Sequence, residues 1–345
     1  MFITAVEPGS KLAAPIVRED GYVILAEGAV LTAVHIERLR RMNICFVEIE
    51  IPPLPAEEAD ADISTPAGFA NLYHDTMIDV KTAFAAMRYF CELPLCEMQE
   101  LAEARVIPLM EAKGVISHLQ AVRRQDDYTY YHSINVAVIS GILGKWMGYS
   151  GEALKDLVLA GLLHDVGKSQ VPLDVLNKPA KLTEPEMGLM KQHTTQGYAM
   201  MKKCGHVAEG VLRGVLEHHE RIDGSGYPNN LRADKIHPFA KIVAVADIYD
   251  AMTSDRVYQK KRTPFSVVEE LNSAMFNKLD PETCSVFLNN VKDYFAGSLV
   301  RLSDGREAEV VYLGRTAASR PVVRTIYGEF IDLDVNQHIA IEGLA

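Results

Sequence analysis

The chain has 345 residues, 48% of them hydrophobic, which is apolar mass enough for more than one domain, since one core seldom grows beyond about 250–300 residues. Its formal net charge is −11, from 46 acidic against 35 basic residues, which argues against a binding surface for polymeric nucleic acid built from clustered Lys and Arg. An anionic ligand must then be held by local positive charge, for which metal ions are the obvious source.

Met1-Phe2-Ile3-Thr4 has neither a basic n-region nor a following long apolar stretch, so no signal peptide is expected. No apolar run reaches the ~18 residues of a membrane span. Cys45, Cys91, Cys96, Cys204 and Cys284 are scattered and odd in number, and read as reduced core thiols of a cytoplasmic protein.

Residues 1–55 predict a small α/β accessory domain. Tyr22 to Leu25 reads as a strand with a turn at Ala26-Glu27-Gly28. Thr32 caps a short helix with Ile36, Leu39 and Met42 inward, and Val47, Ile49 and Ile51 alternate as a strand. Pro52, Pro53 and Pro55 end it. Residues 56–114 read as an acidic linker and a helical connector, whose Met77, Phe84, Met87 and Tyr89 predict core packing or a coiled dimer helix.

Residues 115–296 predict a helical catalytic domain. Ser150 caps a helix with Leu154, Leu157, Val158, Gly161 and Leu162 on one stripe, running into His164-Asp165. Thr183-Glu184-Pro185-Glu186 is a capping box with Pro in the first turn, and the helix it opens is expected to carry His193. Val207, Val211, Leu212, Val215 and Leu216 mark a helix that delivers His218-His219. Ile242, Val243, Val245, Ala246 and Ile248 mark a buried helix bearing Asp247 and Asp250. From 297 to 345 the period becomes two, with hairpins expected at Asp304-Gly305 and Gly328. The fold class expected is mainly α, with a small N-terminal α/β segment and a small C-terminal β appendage.

His132, His164, Asp165, His193, His218, His219 and Asp247 form the candidate site. Each alone is unremarkable. Together they set imidazoles and carboxylates at or beside apolar helical stripes, where burial without partners is costly and coordination removes the cost. The donor mix suits iron, manganese or zinc, and the set is too large for one ion but about right for two sharing a carboxylate, the usual device for hydroxide attack on a phosphoester.

Leu162-Leu163-His164-Asp165-Val166-Gly167-Lys168 resembles the HD superfamily of metal-dependent phosphohydrolases. His218-His219-Glu220-Arg221-Ile222-Asp223-Gly224-Ser225-Gly226-Tyr227-Pro228 resembles its HD-GYP subfamily, and Asp247-Ile248-Tyr249-Asp250-Ala251-Met252-Thr253, Arg256 and Tyr258 continue the likeness over residues 115–295. The resemblance implies an HD-type helical bundle and a bacterial cyclic di-GMP phosphodiesterase that yields linear pGpG and, on a second cut, GMP. It implies one ion at His132, His164, Asp165 and Asp247 and another at Asp165, His193, His218 and His219, and it favours iron or manganese. Some members hold a third metal through a Glu where this chain has Tyr128, a poor ligand at neutral pH, so two ions are expected. Gln259 departs from the basic residue many relatives carry, with Lys260 and Lys261 behind it.

Asp165 and Lys168 are the expected catalytic pair, with Lys168 aimed at phosphate; a solvated helix-end lysine is the bland alternative. Gly224, Gly226, Tyr227 and Pro228 form either a substrate loop or a tight inter-helix turn, or both. Asp250 either orients a ligand or touches substrate. Arg256 contacts phosphate or guanine, or makes a surface ion pair, and Tyr258 is a further substrate candidate. The alternatives to cyclic di-GMP hydrolysis are a related cyclic dinucleotide such as cyclic GMP-AMP, a sensor that passes the messenger's signal to partner proteins, and a mononucleotidase, which the Gly-Tyr-Pro loop disfavours. The flanking segments are compatible with regulation, partner docking or a homodimer.

Overall fold

In the computed structural model, which describes residues 9–17, 23–26, 28–42, 47, 49–50, 63, 65–90, 93–112, 114–122, 128–254, 263–274, 277–313 and 320–344, the chain divides into two units, Met1–Ala61 and Asp62–Ala345. The first contains β1 (Lys11–Leu12), β2 (Ile16–Val17), β3 (Val23–Leu25), α1 (Ala33–Arg41) and β4 (Ile49–Glu50). β1 pairs antiparallel with β4, and β2 with β3. Thr32 caps α1 as expected, its Oγ1 accepting from the His35 N–H at 3.2 Å. Ile36 and Leu39 join Leu12, Ile16, Leu31 and Val47 in a small core. Met42, expected inward, lies past the helix end and is 39% exposed. Steps of three residues drift about 60° off a helix face each time, so the third member of the series leaves it.

The second unit begins with α2 (Pro66–Phe90), capped by Thr65 Oγ1, which accepts from the Gly68 N–H at 3.1 Å. Met77, Phe84 and Met87 are buried in the core of this unit; the Tyr89 side chain lies outside the described residues. α3 (Leu95–Leu101) passes through a π turn (Ala102–Val106) into α4 (Ile107–Glu111). Pro108 has no N–H and crowds the preceding turn, and the helix widens just ahead of it. There follow α5 (Val115–Ala121), α6 (Tyr128–Trp146), α7 (Gly151–Leu163), a 3-10 turn (Val166–Gln170), α8 (Leu173–Leu176), α9 (Glu184–Lys191), α10 (His193–Lys203), α11 (Glu209–Glu217), α12 (Pro238–Thr253), α13 (Pro264–Ala274) and α14 (Pro281–Val291).

Helices α6 and α12 are apolar almost all round and lie at the centre, α6 against both α7 and α12, and α11 against α7, α10 and α12. Gly161 permits the α6–α7 approach, since a Cβ there would lie 2.8 Å from Ala137 Cα. Ser150 occupies the cap position of α7 without a side-chain cap bond. The capping box of α9 is present, with the Thr183 N–H donating to Glu186 Oε2 at 2.7 Å. That helix does not carry His193, however. Gln192, at φ −67° and ψ −13°, closes α9, and His193 opens α10.

The chain ends in β5 (Leu299–Leu302), β6 (Glu307–Tyr312), β7 (Val322–Thr325), β8 (Phe330–Asp332) and β9 (Ile341–Leu344), an antiparallel sheet of order β8-β7-β6-β5-β9. Both expected hairpins form, with Gly305 at φ +87° and Gly328 at φ +81°, conformations open to glycine. Val300, Leu302, Ala308 and Val310 share a continuous core with the helices, as do the buried residues of α2. The expected divisions at 114/115 and 296/297 therefore run inside one unit. Cys284 is buried, but Cys96 and Cys204 are exposed rather than in the core: Cys96 sits on the outer side of α3, opposite Leu95 and Met98, and Cys204 ends α10. No described helix is long and apolar enough to cross a membrane.

Candidate metal centre

The beginning of α6, the middle of α12, the end of α7, the start of α10 and the end of α11 meet at one buried point. They bring together His132, His164, Asp165, His193, His218 and Asp247, all buried, with His219 at the edge. The Asp165 carboxylate is central. Its Oδ2 lies 3.2 Å from His164 Nε2 and 3.7 Å from His132 Nε2, and its Oδ1 lies 3.3 Å from His193 Nε2. His193 Nε2 is 3.3 Å from His218 Nε2. Asp247 offers Oδ1 to His132 Nε2 at 3.1 Å and has Oδ2 3.9 Å from His219 Nδ1. Two groups result, Asp165 with His193, His218 and His219, and Asp165 with His132 and His164; within each, one ligand atom per residue lies within 4.8 Å of all the others. Gly167 sets the first group's geometry. A Cβ there would fall 1.9 Å from the His193 carbonyl oxygen, so only glycine lets the turn after Asp165 lie on the start of α10.

Local hydrogen bonds fix the tautomers. His164, His193 and His218 each direct Nδ1 at a backbone carbonyl, those of Gly161 at 2.8 Å, Met190 at 2.7 Å and Val215 at 2.8 Å. An Nδ1–H donated there leaves the Nε2 lone pair facing the cluster. His164 Nε2 and Asp165 Oδ1 have no hydrogen-bond partner, although both are buried. Lone pairs facing lone pairs and a carboxylate want a cation between them, and imidazole with carboxylate is the donor set of a divalent transition metal. The charge states agree. Burial first, and the neighbouring imidazoles second, hold His218 well below its usual value; burial takes His193 down and pushes His219 to about 3, so these rings are neutral. Burial alone would raise Asp165, but the Lys168 ammonium beside it counters burial, and the carboxyl lies well below the usual range. The same contest, won by His132, keeps Asp247 ionised.

His132 is held differently. Its Nδ1 meets Asp250 Oδ2 at 2.7 Å, and Asp250 Oδ1 accepts from Asn135 Nδ2 at 2.8 Å. Burial pulls this imidazole down, but its bonds to Asp247 and Asp250 win and push it up to about 9. Asp250 is fully buried behind His132. Both of its carboxylate oxygens are engaged, one by His132 and one by Asn135, an arrangement suited to orienting a ligand.

Lys168 projects its ammonium onto Asp165 Oδ2 at 2.5 Å, so its charge lies at the cluster rather than free in solvent. The 224–228 loop closes one side. Tyr227 stacks on His219 with ring centres 4.7 Å apart, and its N–H donates to the His219 carbonyl at 3.2 Å. Burial raises the Tyr227 phenol, which stays a donor. Gly226 is required by close packing, since a Cβ would meet Arg221 N and Glu220 Cα at 2.4 Å; Gly224 takes φ +82°, and the Tyr227–Pro228 peptide is cis. Arg256 and Tyr258 lie outside the described residues, and so does the side chain of Tyr128.

Three further residues support the site, and the sequence analysis gave none of them a role. Buried Glu220 accepts from the Asn229 N–H at 2.6 Å and the Leu231 N–H at 2.9 Å, stapling the loop to the end of α11. Arg221 folds back on the His218 and Glu220 carbonyls, and Lys191 Nζ stands 5.1 Å from the centre of the Tyr227 ring. Glu220 lay inside the quoted motif, and its place directly after two ligands was the available signal.

Residues 114–283 match the HD domain family. A cyclic di-GMP phosphodiesterase of Pseudomonas aeruginosa is 30% identical over 360 aligned positions, covering 98% of this chain and 85% of that protein. RpfG, a cyclic di-GMP phosphodiesterase response regulator of Xanthomonas campestris, is 34% identical over 194 positions, covering 56% of this chain and 51% of its own length. A 3′3′-cGAMP-specific phosphodiesterase of Vibrio cholerae is 34% identical over 183 positions, 52% of this chain and 41% of that protein. Among solved structures, Bd1817, an HDG"Y"P protein from Bdellovibrio bacteriovorus, superposes with a TM-score of 0.55 at 18% identity over 85% of this chain and 98% of its own, and so shares the fold.

Proposed function

The chain belongs to the HD domain family, and on that premise we propose that it is of the HD-GYP kind and hydrolyses cyclic di-GMP to linear pGpG, and on to GMP by a second cut, in a metal-dependent reaction. The observation that carries this is the convergence of the His164 and His193 Nε2 atoms on the Asp165 carboxylate, with His218 Nε2 against His193 Nε2, and with the other nitrogen of each ring bonded to backbone. In this reading His132, His164, Asp165 and Asp247 hold one divalent ion, and Asp165, His193, His218 and His219 hold a second; iron or manganese fits the nitrogen-rich mixed set. Such a pair supplies Lewis acidity and hydroxide at neutral pH. Asp165 serves both groups. Lys168 places a compact positive charge where a phosphate oxygen would lie, and Tyr227 offers a hydrogen bond from the loop wall. Arg256 and Tyr258 are proposed substrate contacts. Residues 1–55 and 297–345 serve as accessory segments for a second copy or signalling partners, around a catalytic domain at 115–296, in the cytoplasm.

Anaerobically purified protein, assayed for metal content and for products by chromatography, tests this. Two ions per chain and a linear dinucleotide are expected. Intact messenger bound tightly without metal would replace catalysis by sensing. Cyclic GMP-AMP belongs in the same assay, because a relative specific for it is as similar over half the chain as the cyclic di-GMP enzymes are; faster cleavage of it would change the substrate and keep the chemistry.

A further inference from the structure

Helix α2 lies outside the matched residues 114–283, yet two of its side chains reach the supports of the metal centre. On one side stands the bond series behind His132. Asp250 takes one oxygen to His132 and the other to Asn135 Nδ2, and Asn135 Oδ1 accepts from the Tyr73 hydroxyl at 2.5 Å. Tyr73 is 1% exposed, and its ring stacks on Phe69 and on Tyr131, with centres 5.8 Å apart in both pairs. The Asn135 amide must turn its NH2 to the carboxylate; its oxygen then needs a donor, and the Tyr73 hydroxyl supplies one.

On the other side, Arg88 donates from Nη1 to the Val171 carbonyl at 2.9 Å and from Nη2 to the Lys168 carbonyl at 2.8 Å. These carbonyls end the 3-10 turn whose Lys168 N–H bonds to the Asp165 carbonyl at 2.9 Å. A guanidinium fork spans both acceptors from one planar group, as an ammonium cannot.

We propose that α2 is a positioning element of the metal centre: Tyr73 sets the His132 imidazole through Asn135 and Asp250, and Arg88 sets Asp165 through the turn that follows it. This rests on the metal reading given above, and not on which phosphodiester is cut. The two residues carry different signatures. Asp165 faces both ligand groups, and His132 only one.

The test is titration of the metal-stripped full chain with Mn2+ against a competing chelator. Removing an outer partner of a metal ligand typically costs 10–100-fold in affinity, and Tyr73 stands two bonds further back, so Tyr73→Phe should weaken one site about tenfold and leave the other unchanged. Arg88→Lys should weaken both sites together. Thr76→Val is the control: Thr76 is buried on the same helix and its hydroxyl donates to the Leu72 carbonyl at 2.6 Å, away from both routes, so both affinities should hold. Wild-type affinities in Tyr73→Phe, even with a lowered melting temperature, would make the hydroxyl merely structural and overturn the proposal, as would an equal loss in Thr76→Val. Arg88 is partly exposed, so its variant tests the second half if Tyr73→Phe does not fold, and unchanged affinities there would overturn that half. Mn2+ uptake in this pattern by a chain that cleaves no cyclic dinucleotide would sink the proposed activity and leave the positioning role standing.

Discussion

The imidazoles of the metal centre are fixed in two ways. His164, His193 and His218 each lean on a backbone carbonyl three residues earlier, at 2.8, 2.7 and 2.8 Å. His132 leans at 2.7 Å on a carboxylate from another helix, 118 residues away. The first kind of support forms with the helix end that carries the ligand. The second exists only once α6 and α12 have packed. Charge follows the same division. A carbonyl is neutral, and burial keeps His218 far below its usual value; Asp250 and Asp247 instead overcome burial and take His132 up to about 9.

The largest expected effect erases the contrast. Asp165→Ala removes the carboxylate both groups share, and loss of both ions with a fall of about a thousandfold or more in rate is expected; elemental analysis finding one ion still bound would confine Asp165 to a single group. Asp250→Ala sharpens it: about a 10–100-fold loss of affinity is expected at the His132 group alone, read by chelator competition, and equal loss at both groups would merge the two modes of support. The pH dependence separates them next. A proton held on His132 up to about pH 9 must leave before Nε2 can bind a cation, so affinity at that group should fall about tenfold per unit as pH drops below 9. His193, His218 and His219 are shifted downward and carry no proton to displace, so from pH 9 to 7 the other group should stay flat. Parallel slopes would refute the difference in charge. Smallest is Glu220→Gln, which turns one acceptor into a donor facing the Asn229 or Leu231 N–H, a cost of about 1–3 kcal/mol. A several-fold rise in KM with unchanged metal content is expected; lost metal would mean that the loop supports ligands as well as substrate.

The same division explains what the sequence could disclose. Helices α7 and α11 carry apolar stripes and α12 is an almost unbroken apolar run, and their ligands fall at helix ends or within buried helix, so their meeting was legible in residue type and spacing. The hairpins at Gly305 and Gly328 were legible because turn chemistry is local. Tyr73, Asn135 and Asp250 were not readable as a set: Tyr73 and Asn135 are 62 residues apart, and nothing periodic marks a buried tyrosine as a hydrogen-bond donor. Nothing in the sequence sets Arg88 apart from the other basic residues. The break at Gln192 escaped notice because no Gly or Pro marks it, and only backbone geometry moves His193 from the end of one helix to the start of the next.

Gly167 bears on how the protein acquires its ions. Backbone lies directly on backbone there, so the segment bearing Asp165 and the segment bearing His193 cannot slide independently, and no side chain between them can yield. The backbones that carry these donors are thereby held at a fixed spacing. Loading is then a docking event into a preformed socket, with little ordering entropy charged against affinity, unlike small zinc modules whose binding and folding are one transition. Stripping the metal should accordingly leave the helical circular-dichroism signal in place.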